Sequence, residues 1–171
     1  EEEAKKILAD IKGAKFVVSN IETKERKRNP LPPFITSKLQ QDAARKLGFT
    51  AKKTMMLAQR LYEHGFITYM RTDSTNLSED AVTGCREFIK NTFGDKYLPS
   101  EPIKYASKKS AQEAHEAIRP TDVSLKSTSI PDAEADSLKL YDLIWRQFVA
   151  CQMNPALFDS TSVSIQTGPY E

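Results

Sequence analysis

No stretch of these 171 residues approaches the ~18 apolar positions of a membrane span, and the opening EEEAKKILAD has none of the features of a signal peptide. No membrane association is expected, and the location expected is cytoplasmic. Cysteine is scarce. Cys85 and Cys151, the only two, lie too far apart in sequence for a CxxC metal or redox site and too few for a disulfide framework, so two reduced core thiols are expected. Histidine is equally rare, with two in the chain. The His115–Glu116 dipeptide has Arg119 where an HExxH zinc motif needs its second histidine, and no metal ligand is expected in this chain. Neither charge sign dominates: 25 Lys and Arg stand against 23 Asp and Glu, and a pI near 8.5 falls short of the roughly pI 9 of strongly basic nucleic-acid domains. Internal repeats and low-complexity segments are missing too.

What remains is an ordinary globular composition, with 39% hydrophobic and 28% charged residues, long enough to bury a core. Basic residues gather locally in KERKR at 24–28, at Arg45–Lys46, at Lys52–Lys53, and at Lys104 with Lys108 and Lys109. Such runs are most often solvated faces and only support a nucleic-acid reading. Residues 2–12 suit a helix ended by Gly13, and KFVVSNIETKER, rich in β-branched residues, a strand. NPLPPF at 29–34 is a rigid break, since consecutive prolines fix the backbone and remove donors.

Beyond it the periodicity turns helical. Thr36 or Ser37 is positioned to cap a helix carrying Leu39, Ala43, Ala44 and Leu47, stopped by Gly48. Thr50 caps a second, with Leu57, Ala58, Leu61 and Tyr62 as its stripe and Gly65 as its end. Ser78, followed by acidic Glu79 and Asp80, opens a third helix with Val82, Cys85, Phe88 and Ile89, closed by Gly94. Residues 95–110 read as a loop, SAQEAHEAI at 110–118 as a short helix stopped by Pro120, and Asp132 to Gln152 as the longest helix, with Leu138, Tyr141, Ile144, Trp145 and Phe148 facing the core. FDSTSVSIQT alternates like a half-buried strand. A strand near each end with helices between predicts a mainly α, overall α+β chain: a helical unit at 29–155, with a helix-turn-helix-like core, set between 1–28 and 156–171 as two segments of an adjoining β-rich domain.

The chemistry is concentrated in GFITYMRTDS, 65–74, which reads as a strand. Residues two apart in an extended chain share a side, so Tyr69, Arg71 and Asp73 would face one way and Thr68, Met70 and Thr72 the other. A tyrosine can attack phosphorus, but its phenol, with an ordinary pKa near ~10, needs help to ionise. A guanidinium beside it binds phosphate oxygens and offsets charge building in a transition state. The commoner role of such a pair is a packed ring and a snorkelling cation. In QEAHEAIRPT a helix would bring His115 and Arg119 to one face a turn apart, a phosphate-binding pair, although a lone His more often caps or packs.

The segments LPPFITSKLQQDAARKLGFTAKKTMMLAQRLYEHGFITYMRTDSTNLSEDAV, QEAHEAIRPTDV and LYDLIWRQFVACQM, in this order and spacing, closely resemble the bacterial topoisomerase I family of type IA DNA topoisomerases. The resemblance covers about residue 30 to the end, and ITYMRTDS with EAHEAIRPT is a highly specific combination. It implies that Tyr69 becomes joined to the 5′ phosphate of a cut single strand, that Arg71 positions and stabilises the scissile phosphate, and that His115 binds a nearby DNA phosphate. It puts Gln59, Glu63, Thr68, Thr72 and Asp73 on motif positions around the site. Arg119 joins the DNA-binding set from the helix-face reading alone. The resemblance also implies single-stranded DNA as partner, relaxation of negatively supercoiled DNA without ATP, and Mg²⁺ held by a toprim domain that nothing in this chain resembles. The chain is then an excerpt that is catalytically incomplete by itself. The competing reading is a non-enzymatic winged-helix-like DNA-binding module, suggested by the order helix, turn, helix, strand over 36–70, with 51–64 as its recognition helix. A third is a purely structural domain.

Overall fold

The computed structural model describes residues 1–105, 115–131 and 134–171. They divide into two compact units, Asn29–Asn154 and the pair of segments Glu1–Arg28 with Pro155–Glu171. In the two-segment unit, helix α1 (Glu2–Ile11) leads through Gly13, in the left-handed region at φ 82°, into strand β1 (Val17–Arg28). That strand pairs antiparallel with β2 (Ala156–Gln166), from Val17 opposite Gln166 to Arg28 opposite Ala156, with one irregularity between Val18 and Asn20. The alternation in β2 predicts one covered face. In this unit both faces of the ribbon are open, and Val18, Ile21, Val163 and Ile165 are all exposed.

The other unit is built from α2 (Thr36–Leu47), α3 (Ala51–Glu63), α4 (Glu79–Phe93) and α5 (Ala135–Ala150), with single 3-10 turns at Asp95–Tyr97 and Ser127–Ser129. The caps explain the boundaries. Thr50 Oγ1 accepts from the Lys53 N–H at 3.2 Å and Ser78 Oγ from the Ala81 N–H at 3.3 Å, each satisfying a donor that a helix start leaves orphaned. Gly48 ends α2 at φ 69°, a conformation costly for any residue with a Cβ. Its N-terminus behaves differently from expectation. Ile35 is the N-cap residue and supplies no side-chain bond, while the Thr36 hydroxyl turns away from its own helix toward residues 70 and 72.

Leu39 and Ala43 of α2, Leu57, Ala58 and Leu61 of α3, and Leu140, Tyr141 and Ile144 of α5 form the main core, joined by Phe34, Ile67, Met70 and Ile118. A smaller cluster packs Cys85 and Ile89 of α4 on Phe148, Val149 and Cys151, and Trp145 touches both. The two cysteines are free and buried, and burial pushes both thiols up to about 12. They are protonated at neutral pH and serve as small apolar groups.

Two expected elements differ. Residues 65–70 form no strand: Ile67 makes one isolated bridge to Pro120, and bends follow. The helix, helix, strand order of a winged helix is therefore incomplete. The short helix expected at 110–118 falls mostly outside the described residues, and 115–118 is not helical, with Ile118 bridging antiparallel to Phe34. Pro120, which bars the residue before it from helical backbone, favours this extended path. Lys108 and Lys109 also lie outside the described residues.

Candidate active site

The segment carrying Tyr69 is held from two sides. On one, residues 117–121 run beside it: the Thr68 N–H donates to Arg119 O at 2.9 Å, the Thr68 hydroxyl to Ala117 O at 2.7 Å, and the Arg119 N–H back to Thr68 Oγ1 at 3.0 Å. The Thr121 N–H and hydroxyl reach Phe66 O and Gly65 O at 3.0 and 2.6 Å. On the other, the Thr36 N–H donates to Thr72 O at 2.9 Å. These bonds replace a ladder and satisfy backbone that would otherwise be orphaned near the core.

Burial along the segment still alternates. Met70, Thr72 and Ser74 are 1%, 7% and 0% exposed, whereas Tyr69, Arg71 and Asp73 all reach solvent. The anticipated grouping of the three on one side thus arises without a strand, and that side is the exposed one. Ile67 and Met70 lock the segment into the core on either side of Tyr69, a residue that remains 47% exposed. Its face or edge meets the Tyr62 ring at 5.3 Å between centroids and an interplanar angle of 68°, a favourable aromatic geometry. Tyr62 was expected within the apolar stripe of α3; it is exposed and supports Tyr69 instead. Gln59 and Glu63 lie on the same helix and are hydrogen-bonded to each other at 2.7 Å.

Arg71 makes no ion pair with any described residue. With Thr72, Asp73 and His115 it lines an open groove whose far wall is the first turn of α2, from Ile35, Thr36, Ser37 and Gln40. Tyr69 is not part of that wall. The groove therefore sets one permanent cation, one histidine and the positive end of a helix against the single carboxylate of Asp73.

His115 and Arg119 do not meet as a helical pair. The Arg119 guanidinium grips Glu116 through Nε and Nη2, both at 2.9 Å, and donates to Pro120 O at 3.0 Å. Glu116 also accepts the Ser78 N–H at 2.8 Å. Burial alone would raise its carboxyl, but Arg119 and the Ser78 amide outweigh it and hold the group below its ordinary range. Glu116, passed over in the sequence except as half of a failed zinc motif, ties the start of α4 to the 116–120 segment. Its spacing of three from Arg119 was the available signal. Thr36 carried none, because its partners lie 34 and 36 positions away in the chain.

Among the described residues no three His, Cys, Asp or Glu side chains converge as a metal site would require.

An exposed tyrosine two residues from an arginine that has no ion pair among the described residues, on a strap pinned to a helical core, is an arrangement compatible with a phosphoryl-transfer nucleophile. A family profile described as DNA topoisomerase matches residues 1–171. DNA topoisomerase 1 of Escherichia coli is 55% identical over 170 residues, covering 99% of this chain and 20% of that protein. The Pseudomonas aeruginosa protein of the same name is 57% identical over 171 residues, 100% of this chain and 20% of its own length. The structure of full-length topoisomerase I from Thermotoga maritima superposes with a TM-score of 0.76 at 39% identity, covering 99% of this chain and 28% of that one. The chain belongs to the bacterial DNA topoisomerase family of type IA. It spans about a fifth of the length of these curated relatives.

Proposed function

We propose that this chain is the tyrosine-bearing part of a type IA topoisomerase that cuts and rejoins one DNA strand, relaxing negatively supercoiled DNA. The Tyr69 oxygen attacks a backbone phosphorus as its proton leaves. The bond from phosphorus to the 3′ oxygen breaks, that oxygen takes up a proton, and a 5′-phosphotyrosine link remains. The reverse displacement reseals the strand, and since one phosphoester replaces another no ATP is consumed. Arg71 offsets the charge that builds on the phosphoryl oxygens. His115, across the open groove, binds a neighbouring phosphate. Thr72 and Asp73 flank that groove, Thr68 fixes the strap, and Gln59 and Glu63 edge the tyrosine's surroundings. Arg119, engaged by Glu116, contributes to the DNA surface through the segment it stiffens.

Single-stranded DNA is the proposed partner, and the cytoplasm the proposed location; no helix among the described residues is long and apolar enough to cross a membrane. Mg²⁺ is assigned to a toprim region elsewhere in the complete enzyme, so the chain by itself is proposed to be inactive.

The observation that carries this reading is the exposure of Tyr69 at 47% between two core anchors, Ile67 and Met70, each 1% exposed. Tyr69→Phe in the complete enzyme keeps the ring against Tyr62 and removes only the nucleophilic oxygen. Covalent DNA adducts and relaxation should both vanish, and adducts that persist would refute the proposal.

A further inference from the structure

We infer that Thr36 is a positioning residue for this site: its hydroxyl sets the direction in which Arg71 leaves the backbone. The inference deepens the proposed function and rests on its assignment of Tyr69 and Arg71.

The geometry is specific. The Thr36 hydroxyl donates to Met70 O at 2.7 Å, with Thr72 O a longer alternative at 3.0 Å, and its oxygen accepts the Thr72 N–H at 2.9 Å. A hydroxyl has one proton to give and lone pairs to receive, so both roles are filled at once. Met70 O belongs to the peptide plane before Arg71, and the Thr72 N–H to the plane after it. Rotation between those two planes is the φ and ψ of Arg71, and both planes are fastened to one oxygen. A third bond, from the Thr36 N–H to Thr72 O at 2.9 Å, fastens the next plane. The Cα–Cβ bond of Arg71 is therefore aimed from the first residue of α2. Arg71 has no ion pair to orient it among the described residues, which leaves the backbone as the source of its direction.

Nor is the hydroxyl needed by its own helix. α2 has no side-chain cap, although a threonine at its start is a residue type that commonly provides one. The hydroxyl serves residues 34 and 36 positions away in the chain instead.

The test uses the complete enzyme and single-turnover cleavage of a labelled single-stranded oligonucleotide. Thr36→Val keeps the shape and removes the hydroxyl; Thr36→Ser keeps the hydroxyl. Val should slow cleavage by ~10–100-fold, as expected when a reacting group is misplaced by a fraction of an ångström, with oligonucleotide affinity changed by no more than about twofold and Ser within about threefold of wild type. Combined with Arg71→Ala, Thr36→Val should add little further loss, because both changes remove the same function. A wild-type rate for Val, or losses that multiply in the double variant, overturns the inference. A measurement free of variants complements it: the Thr72 amide in the wild-type enzyme, read by fragmentation mass spectrometry, should exchange at least ~100-fold more slowly than in a free peptide, and exchange at the peptide rate overturns it as well. Adducts surviving Tyr69→Phe would instead remove the reading beneath it. An inactive Tyr69→Phe beside a fully active Thr36→Val sinks the inference alone.

Discussion

Glu116 carries a charge that the fold both buries in part and repays. Arg119 meets it with two guanidinium nitrogens and the Ser78 amide adds a third bond. Because the folded carboxyl sits below its usual range, the folded state prefers the ionised form. That preference stabilises the protein fully above the unfolded pKa of ~4.3 and disappears as pH falls through the lower folded value. Glu116→Gln should therefore cost about 1–2 kcal/mol near pH 7, and thermal melts should find the difference from wild type closing as pH falls through the unfolded value and then the lower folded one. A gap of constant size would mean that the ion pair is not its source. At this scale, the grouping of Tyr69, Arg71 and Asp73 on one side was legible from a two-residue period, though not that this side is the exposed one. The state of Arg119 was not, since the sequence brought His115 forward as its neighbour and the extended path before Pro120 selected Glu116.

Helices were legible through their ends more than their middles. Thr50, Ser78, Gly48 and Gly94 each mark a boundary that local chemistry dictates, and α2, α3 and α4 follow, whereas α5 has no side-chain cap and was legible from its apolar stripe. The strap at 65–72 was misread for the converse reason. Its β-branched and aromatic residues suit a strand, yet its hydrogen-bond partners lie in two places, residue 36 and residues 117–121, and no local pattern encodes partners so far apart. Two glycines test how far local geometry governs these helices. Gly48→Ala forces a Cβ into φ 69° and should destabilise by about 1 kcal/mol. Gly84, inside α4 with open space where a Cβ would stand, should gain about 0.5–1 kcal/mol on becoming Ala. Chemical denaturation of both variants checks the opposite signs.

Across the whole molecule, chemistry and scaffold are divided. The described residues provide an exposed tyrosine and a groove lined by Arg71, Asp73 and His115, but no cluster of metal-binding side chains. On the proposed division of labour, the 171-residue chain incubated with single-stranded oligonucleotide and Mg²⁺ should form no covalent adduct by denaturing gel, and an adduct would relocate the chemistry. Regular segments were legible at this scale as well, including β1 and β2 near the two ends. The openness of both ribbon faces was not, because alternation predicts that one face is covered without saying by what.

The two-sided tether of the tyrosine strap has a temporal consequence during synthesis. One anchor, Thr36, leaves the ribosome before Tyr69, but the other, at 117–121, follows about fifty residues later, which at ~5–20 residues per second is several seconds. Until then Tyr69 rides on a half-fastened loop. On the proposed reading, its oxygen lacks a fixed aim until the polypeptide has grown past residue 121.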